Sequence, residues 1–250
     1  MAGVRTAGVG HPAPVVLVAH GSRDPAAASA TRALVRAVAA ARPGLDVRAS
    51  YLDHTVPRPE AVLAAVERAG APRATLVPLL LTSAFHGRVD IPRSLADARA
   101  GGLRLPVHLA DVLGPVGGAV PAHLVAALRR RVAALNTPYD SVVLAAAGTR
   151  DAAARRTVAQ VATALGEALD VPCEVAYASA SAPTGAEAVE ALRARGARRV
   201  VAAAYFLAPG RLYATVMGSA RSAGALACAE PLTDARELAA LVLARADAAR

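Results

Sequence analysis

Short apolar runs alternate with amphipathic segments along most of the chain. Val15–Ala19 and Thr75–Leu81 are almost wholly apolar, which is typical of strands covered on both faces in a parallel sheet. Ala26–Ala41 has helical composition and is followed by Pro43 and Gly44, which are helix-stop signals. Strand and helix alternate in this way repeatedly, which predicts an α/β fold with right-handed crossovers.

The same pattern predicts a full series of strands and helices. The predicted strands are Val15–Ala19, Val47–Leu52, Thr75–Leu81, Val107–Ala110, Val142–Ala146, Glu174–Ala178, Val200–Leu207 and Leu226–Ala229. The predicted helices are Ala26–Ala41, Pro59–Ala69, Ile91–Ala100, Ala119–Leu135, Ala152–Leu169, Gly185–Arg195, Tyr213–Ser222 and Asp234–Ala248. We expect Thr233 or Asp234 to cap the last helix.

The order of elements restarts after a break at Asn136-Thr137-Pro138, which indicates an internal repeat. AHGSRD at 19–24 is matched by AAGTRD at 146–151, and His20 is replaced by Ala147 in the second copy. The repeat predicts two tandem, doubly wound parallel-sheet domains related by a pseudo-twofold axis. We place their boundaries at 1–137 and 138–250.

Composition limits the class of protein and its location. Of the 250 residues 55% are hydrophobic, which argues against disorder, yet no apolar run approaches the roughly 20 residues of a membrane span. The first residues carry no apolar signal region. Cys173 and Cys228 form no CxxC motif, and buried free thiols are their simplest interpretation. These features predict a cytoplasmic protein with no membrane association.

The net charge of +9 comes entirely from arginine and favours anionic partners. Nucleic acid is disfavoured because aromatic residues make up only 3% and the only tight basic cluster is Arg129-Arg130-Arg131. That cluster closes an amphipathic helix, where cations suit the helix dipole. A small polyanionic substrate fits the charge at least as well.

Polar side chains follow the first three strands, where ligands bind in open α/β sheets. They are His20, Ser22, Arg23, Asp24, Asp53, His54, Thr82, Ser83, His86, Arg88 and Asp90. All six histidines precede residue 124, and the matching loop of the second half, FLAPGRLY, has none. The pattern predicts a duplicated domain with one working site in its first half.

AHGSRDP after the first strand and VPLLLTSAFHGRVDIP around the third resemble the CbiX-type sirohydrochlorin chelatases, in particular their long, duplicated form. The resemblance implies insertion of ferrous iron or cobalt into sirohydrochlorin without ATP, for sirohaem or cobalamin synthesis. It implies that His20 and His86 are the catalytic histidines. An acidic position of the family, commonly glutamate, falls on or beside Asp53, whose shorter side chain leaves its role open.

The chemistry of metal insertion agrees with this resemblance. Neutral imidazole binds iron and cobalt and can also accept a pyrrole proton, so either histidine could be ligand or base. We expect the metal, itself a substrate, to meet His20, His86 and Asp53, with no further cofactor. The residues expected to hold the tetrapyrrole are Ser22, Arg23, Thr82, Ser83, Arg88, Arg150 and Arg211. A monomer is expected, because the duplication supplies both halves of the site.

Structural interpretations compete at several of these positions. Ser22 and Thr149 suit turns or caps, Asp24 suits the cap of the following helix, and N-capping explains Asp90. His54, the next residue, could act together with Asp53 at the site or take its place. For the whole chain, a metal or tetrapyrrole carrier without turnover is the alternative to an enzyme.

Overall fold

A computed structural model describes residues 12–82 and 90–249, which form two four-stranded parallel sheets with helices on both faces. The predicted α/β fold with an internal duplication is therefore confirmed. The strands are β1 (Val15–Ala19), β2 (Val47–Tyr51), β3 (Ala74–Pro78), β4 (Val107–Leu109), β5 (Ser141–Ala146), β6 (Cys173–Tyr177), β7 (Val200–Ala204) and β8 (Ala227–Cys228). The helices are α1 (Pro25–Ala41), α2 (Pro59–Arg68), α3 (Ile91–Ala100), α4 (Ala122–Ala133), α5 (Ala152–Leu169), α6 (Gly185–Ala194), α7 (Arg211–Ser222) and α8 (Arg236–Ala248).

The two sheets have the same topology. Their strand orders are β2-β1-β3-β4 and β6-β5-β7-β8, and every pairing is parallel. The chain passes from β1 to β2 on one side and then crosses to β3 on the other side. Such a reversal opens a crevice at the carboxyl ends of the two central strands. The fold thus places the loops after β1 and β3 side by side.

Alternate residues of the central strands enter different cores. Val16 and Val18 of β1 pack under α2 and α3, whereas Val15 and Leu17 face a core shared by both sheets. In the second sheet, Val143 packs under α6 and α7, and Leu144 joins the shared core. This division follows from the period of two along a strand.

The last helix of each half packs against the sheet of the other half. Helix α4 contacts β7 and α5, and α8 contacts β3 and α1. Ion pairs also join the two halves. Arg42, at the end of α1, binds Asp247 of α8 with two nitrogen–oxygen distances of 2.8 and 2.6 Å. Arg130 of α4 binds Glu237 of α8 at 2.9 Å. The two halves are therefore joined through one buried core.

Two strands end earlier than their apolar runs predict. Strand β3 ends at Pro78 and β7 at Ala204, although Leu79 and Tyr205 remain 7% and 3% exposed. The Leu79 and Tyr205 amides still donate to the Val18 and Ala145 carbonyls at 2.8 Å each, but regular strand pairing does not continue beyond them. The prediction that the strands continue to Leu81 and Leu207 is wrong.

Two predicted helix caps are also wrong. Helix α8 begins after Ala235 without a side-chain cap, and Asp234 binds Arg131 at 3.2 Å instead. Asp90 precedes α3 in a helical conformation and makes no side-chain cap hydrogen bond, because that bond requires an extended backbone at the cap.

Among the helices that the structure describes, none combines the length and apolar character needed to cross a membrane. Cys173 and Cys228 are free thiols, as predicted, but they are half-buried rather than buried. Burial raises the pKa of Cys173 to about 12 and that of Cys228 above its usual value.

Candidate active site

A cleft of about 490 Å³ lies between the halves at the carboxyl ends of both sheets. One wall comes from the loops after β1 and β3, including His20 and Leu79–Thr82. The other wall comes from the equivalent loops after β5 and β7, including Ala146–Thr149 and Tyr205–Tyr213. The site predicted at this edge of the first sheet therefore faces the second half.

The loop after β1 holds His20 between the end of the strand and the start of α1. Gly21 has a φ of +92°, which favours glycine. The Ser22 hydroxyl accepts a hydrogen bond from the Asp24 amide at 3.0 Å. The Asp24 carboxylate accepts one from the Ala26 amide at 2.9 Å and so caps α1. The turn and cap interpretations of Ser22 and Asp24 are confirmed.

His20 is exposed and lines a second cavity besides the cleft. This second cavity measures about 370 Å³ and is lined mainly by charged side chains. Its charged residues are Asp53, Arg58, Glu60, Asp90, Arg93 and Asp97. The imidazole therefore stands where a mostly apolar cleft meets a carboxylate-rich cavity.

The Asp53 carboxylate has basic side chains beside it. It accepts a hydrogen bond from the His54 amide at 2.8 Å, and it lies 3.3 Å from His54 Nε2 and 3.7 Å from the Arg58 guanidinium. The His54 amide bond lowers the pKa of Asp53 most, and the charges of His54, Arg58 and His20 lower it further. Asp53 is thus held as a carboxylate beside His20.

The second half keeps the supporting structure of these loops but loses the chemistry. Ser181 donates to the Thr149 carbonyl at 2.6 Å, as Thr55 does to the Ser22 carbonyl at 3.0 Å. Asp151 caps α5 through the Ala153 and Ala154 amides at 2.8 and 3.3 Å, and Thr149 accepts from the Asp151 amide. The positions equivalent to His20 and Asp53 are Ala147 and Ser179.

The predicted substrate-binding residues fall into three groups. Ser22, Thr82 and Arg211 line the cleft. Arg23 and Arg150 are exposed and do not line it, so their role as carboxylate clamps stays a prediction. The remaining predicted site residues lie outside the residues that the structure describes: Ser83, His86 and Arg88.

The residues that the structure describes do not by themselves form a metal site. Within 12–82 and 90–249, no group of three or more His, Cys, Asp or Glu could hold a metal ion. His20 and Asp53 line the same polar cavity, and the predicted third member, His86, lies outside the described ranges.

The aromatic character of the cleft is a feature that sequence reasoning missed. The chain has five tyrosines and two phenylalanines, and four of these seven line the cleft: Tyr177, Tyr205, Phe206 and Tyr213. Phe206 and Tyr213 meet edge to face with ring centroids 5.8 Å apart. The sequence contained a clue to this feature, because the few aromatic residues of the chain are concentrated near strand ends of the second half.

Comparison with known proteins identifies relatives. A curated sirohydrochlorin ferrochelatase of Bacillus subtilis is 28% identical over 165 residues, or 64% of this chain. The match covers 61% of the length of that relative. The structure of SirB from Bacillus subtilis with Fe³⁺ aligns with a TM-score of 0.80 and 22% identity over 93% of both chains.

A second solved structure shares the fold across almost the whole chain. It is CbiX, described as the terminal enzyme for biosynthesis of sirohaem in denitrifying bacteria. It aligns with a TM-score of 0.65 and 20% identity over 95% of this chain and 99% of its own. The sequence model of the CbiX family matches twice, at residues 14–135 and 141–249. Because these two matches span most of the sequence, the chain belongs to the CbiX family.

Proposed function

We propose that this chain is a sirohydrochlorin chelatase that inserts a divalent metal, ferrous iron or cobalt, into the tetrapyrrole. The observation that carries the proposal is the position of His20. Its imidazole lines both the apolar cleft, which suits a macrocycle, and the carboxylate-rich cavity, which suits a cation. The family membership supports the same activity.

The cleft has the size and lining for a tetrapyrrole. Its volume of about 490 Å³ lies within the roughly 300–1,000 Å³ range of ligand pockets. Leu80 and Leu81 on one wall and Leu212 and Tyr213 on the other are partly or fully exposed and offer apolar surfaces to the faces of the macrocycle. The cleft is open, which leaves room for carboxylate groups at the edge of the macrocycle.

His20 suits the two chemical demands of metal insertion. The metal must be held weakly enough to be passed on, and the pyrrole nitrogens must lose their protons. Neutral imidazole binds borderline divalent metals and can accept a proton near neutral pH. We assign one role to His20 and the other to His86, with Asp53 as a further contact for the incoming cation.

Arginine supplies the charge that the substrate requires. Sirohydrochlorin is a polycarboxylate, and guanidinium groups bind carboxylates in a bidentate manner. Arg211 lines the cleft, and Arg23, Arg88 and Arg150 are proposed to reach carboxylates at its edge. The net charge of +9 attracts such a polyanion over a longer distance.

We propose that insertion proceeds without ATP. Helix N-termini bind phosphate through free backbone amides. Here the Asp24 carboxylate accepts from the Ala26 amide of α1, and Asp151 accepts from the Ala153 and Ala154 amides of α5. Helix α7 begins at the cleft without a side-chain cap, so this argument applies to α1 and α5 alone.

We also propose the division of labour and the oligomeric state. Residues 1–137 carry the reacting side chains, and residues 138–250 supply the second wall of the cleft. Because one chain provides both walls, the site is complete in a monomer. The product would serve sirohaem or cobalamin synthesis, depending on the metal.

An anaerobic turnover assay tests the proposal. Purified protein is mixed with excess sirohydrochlorin and either ferrous iron or cobalt, with and without ATP, and loss of the free-base absorbance is followed. We expect many turnovers for each protein molecule, with no change on adding ATP. Stoichiometric binding with no rate above the spontaneous reaction would instead indicate a carrier.

A further inference from the structure

Tyr205 joins the two walls of the cleft through one hydrogen bond. It directly follows β7 in the second half, and its hydroxyl donates to the carbonyl of Leu81 in the first half at 2.7 Å. Tyr205 is only 3% exposed, and burial raises its pKa above the usual value. The hydroxyl therefore keeps its proton and acts as a permanent donor.

The Leu81 carbonyl also packs closely against the backbone of Gly114. A β-carbon on Gly114 would lie 1.8 Å from the Leu81 oxygen. The amides of Leu113 and Gly114 donate to the neighbouring Leu80 carbonyl at 2.9 and 3.3 Å. The Leu81 carbonyl thus contacts both the backbone of Gly114 and the hydroxyl of Tyr205.

The second half satisfies the equivalent carbonyls differently. There the Leu232 amide donates to Phe206 at 2.8 Å, and the Thr233 amide donates to Leu207, the counterpart of Leu81, at 3.1 Å. In the first half the Gly114 amide turns to Leu80 instead. A side chain from the other half replaces the missing backbone donor.

The first half has no tyrosine at the position equivalent to Tyr205. The counterpart of Tyr205 in the first half is Leu79, which has no hydroxyl to donate. The half without histidines therefore supports the loop of the half that carries them. Thr82, the next residue after the anchored carbonyl, lines the cleft opposite Phe206 and Tyr213.

We infer that Tyr205 is a positioning residue for the tetrapyrrole, because its hydroxyl fixes the Leu81–Thr82 wall against the aromatic wall of the second half. This inference rests on the proposed chelatase function for the identity of the ligand. Losing the hydroxyl leaves a partly buried carbonyl without its protein donor, which destabilises the aligned arrangement of the walls.

The variant Tyr205→Phe tests this role, with Tyr51→Phe as the matched control. Tyr51 is also 3% exposed, and its hydroxyl donates to the Ala28 carbonyl at 3.5 Å within the first half. Sirohydrochlorin affinity is measured by absorbance titration without metal, and KM for sirohydrochlorin is measured in the turnover assay. Amide hydrogen exchange is followed at Leu113 and Gly114.

Tyr205→Phe is expected to weaken sirohydrochlorin binding about fivefold or more, to raise KM in parallel and to speed exchange at both amides. Tyr51→Phe is expected to bind sirohydrochlorin as tightly as the wild type. Equal binding by Tyr205→Phe and the wild type would overturn the inference. If Tyr205→Phe does not fold, exchange at the Leu113 and Gly114 amides of the wild type is compared with and without sirohydrochlorin; the inference expects slower exchange at both amides in the complex, and unchanged exchange would overturn it.

The binding and exchange measurements separate this inference from the proposed function. A wild type that binds sirohydrochlorin but never inserts metal would end the chelatase proposal. The titration of Tyr205→Phe would still decide whether the hydroxyl positions the cleft wall.

Discussion

The backbone of Gly21 packs so closely against the carbonyl of Asp53 that a β-carbon on residue 21 would lie 1.8 Å from the oxygen. The Asp53 amide also donates to the His20 carbonyl at 2.8 Å. These two contacts lock the loop after β1 to the loop after β2. The His20 imidazole and the Asp53 carboxylate, which are predicted to contact the metal, therefore extend from two adjacent loops.

Replacing Gly21 by alanine should therefore destabilise the fold severely. The added methyl meets rigid backbone, and the φ of +92° is itself unfavourable for alanine. We expect Gly21→Ala to lower the free energy of unfolding by about 3 kcal/mol or more, measured by urea denaturation. Gly44→Ala is the control, because Gly44 has a similar φ of +83° but no atom within 4 Å, and it should lose about 1 kcal/mol. Equal losses in the two variants would contradict the close packing.

The sequence predicted most of this arrangement from two observations. Its strand and helix order implied the parallel sheets, and the polar residues after the first three strands implied one shared edge. Two loops that follow neighbouring strands must meet, so the proximity of His20 and Asp53 follows from topology. The exclusion of a side chain at Gly21 depends on a backbone distance that no residue pattern encodes.

The two halves should unfold together. Helices α4 and α8 each complete the packing of the opposite sheet, and both contribute to the shared core, for example through Leu124 and Leu238. We expect a single calorimetric transition whose calorimetric and van't Hoff enthalpies agree. Leu238→Ala should lower the stability of the whole transition by about 3 kcal/mol. Two separate transitions would show that the halves are independent domains.

This exchange of helices shows where sequence reasoning stops. The apolar face of a helix such as α8 is visible in the pattern, but the pattern does not say which sheet that face covers. The same ambiguity explains the wrong ends of β3 and β7. The Leu79 and Tyr205 amides still donate to the central strands, but their buried side chains lie at the cleft between the halves, and an apolar run does not distinguish that position from the interior of a strand.

Arg211 should contribute more to sirohydrochlorin binding than Arg221, the other arginine of its helix. It is the first residue of α7 and lines the cleft, whereas Arg221 lies exposed in the last turn of the same helix. We expect Arg211→Gln to weaken binding about tenfold, in keeping with the loss of a charge-assisted hydrogen bond. The loss should shrink at high salt. A similar loss in Arg221→Gln would show that only net charge matters.

Cys173 should be unreactive in the folded protein. Its pKa of about 12 keeps the thiol protonated at neutral and mildly alkaline pH, and only the thiolate reacts. Reaction with a chromogenic disulfide reagent should therefore be slow at mildly alkaline pH and become fast in urea. A variant lacking Cys228 isolates the signal from Cys173. Rapid labelling of that variant without denaturant would contradict the burial.

We propose that His20, at the junction of the cleft and the polar cavity, takes part directly in metal insertion. The most direct test compares kcat for His20→Ala with that of the wild type, under anaerobic conditions with the preferred metal. His123→Ala is the control, because this histidine is exposed on α4 and does not line either cavity. We predict a fall of about a hundredfold or more for His20→Ala and none for His123→Ala. Full turnover by His20→Ala would contradict the account.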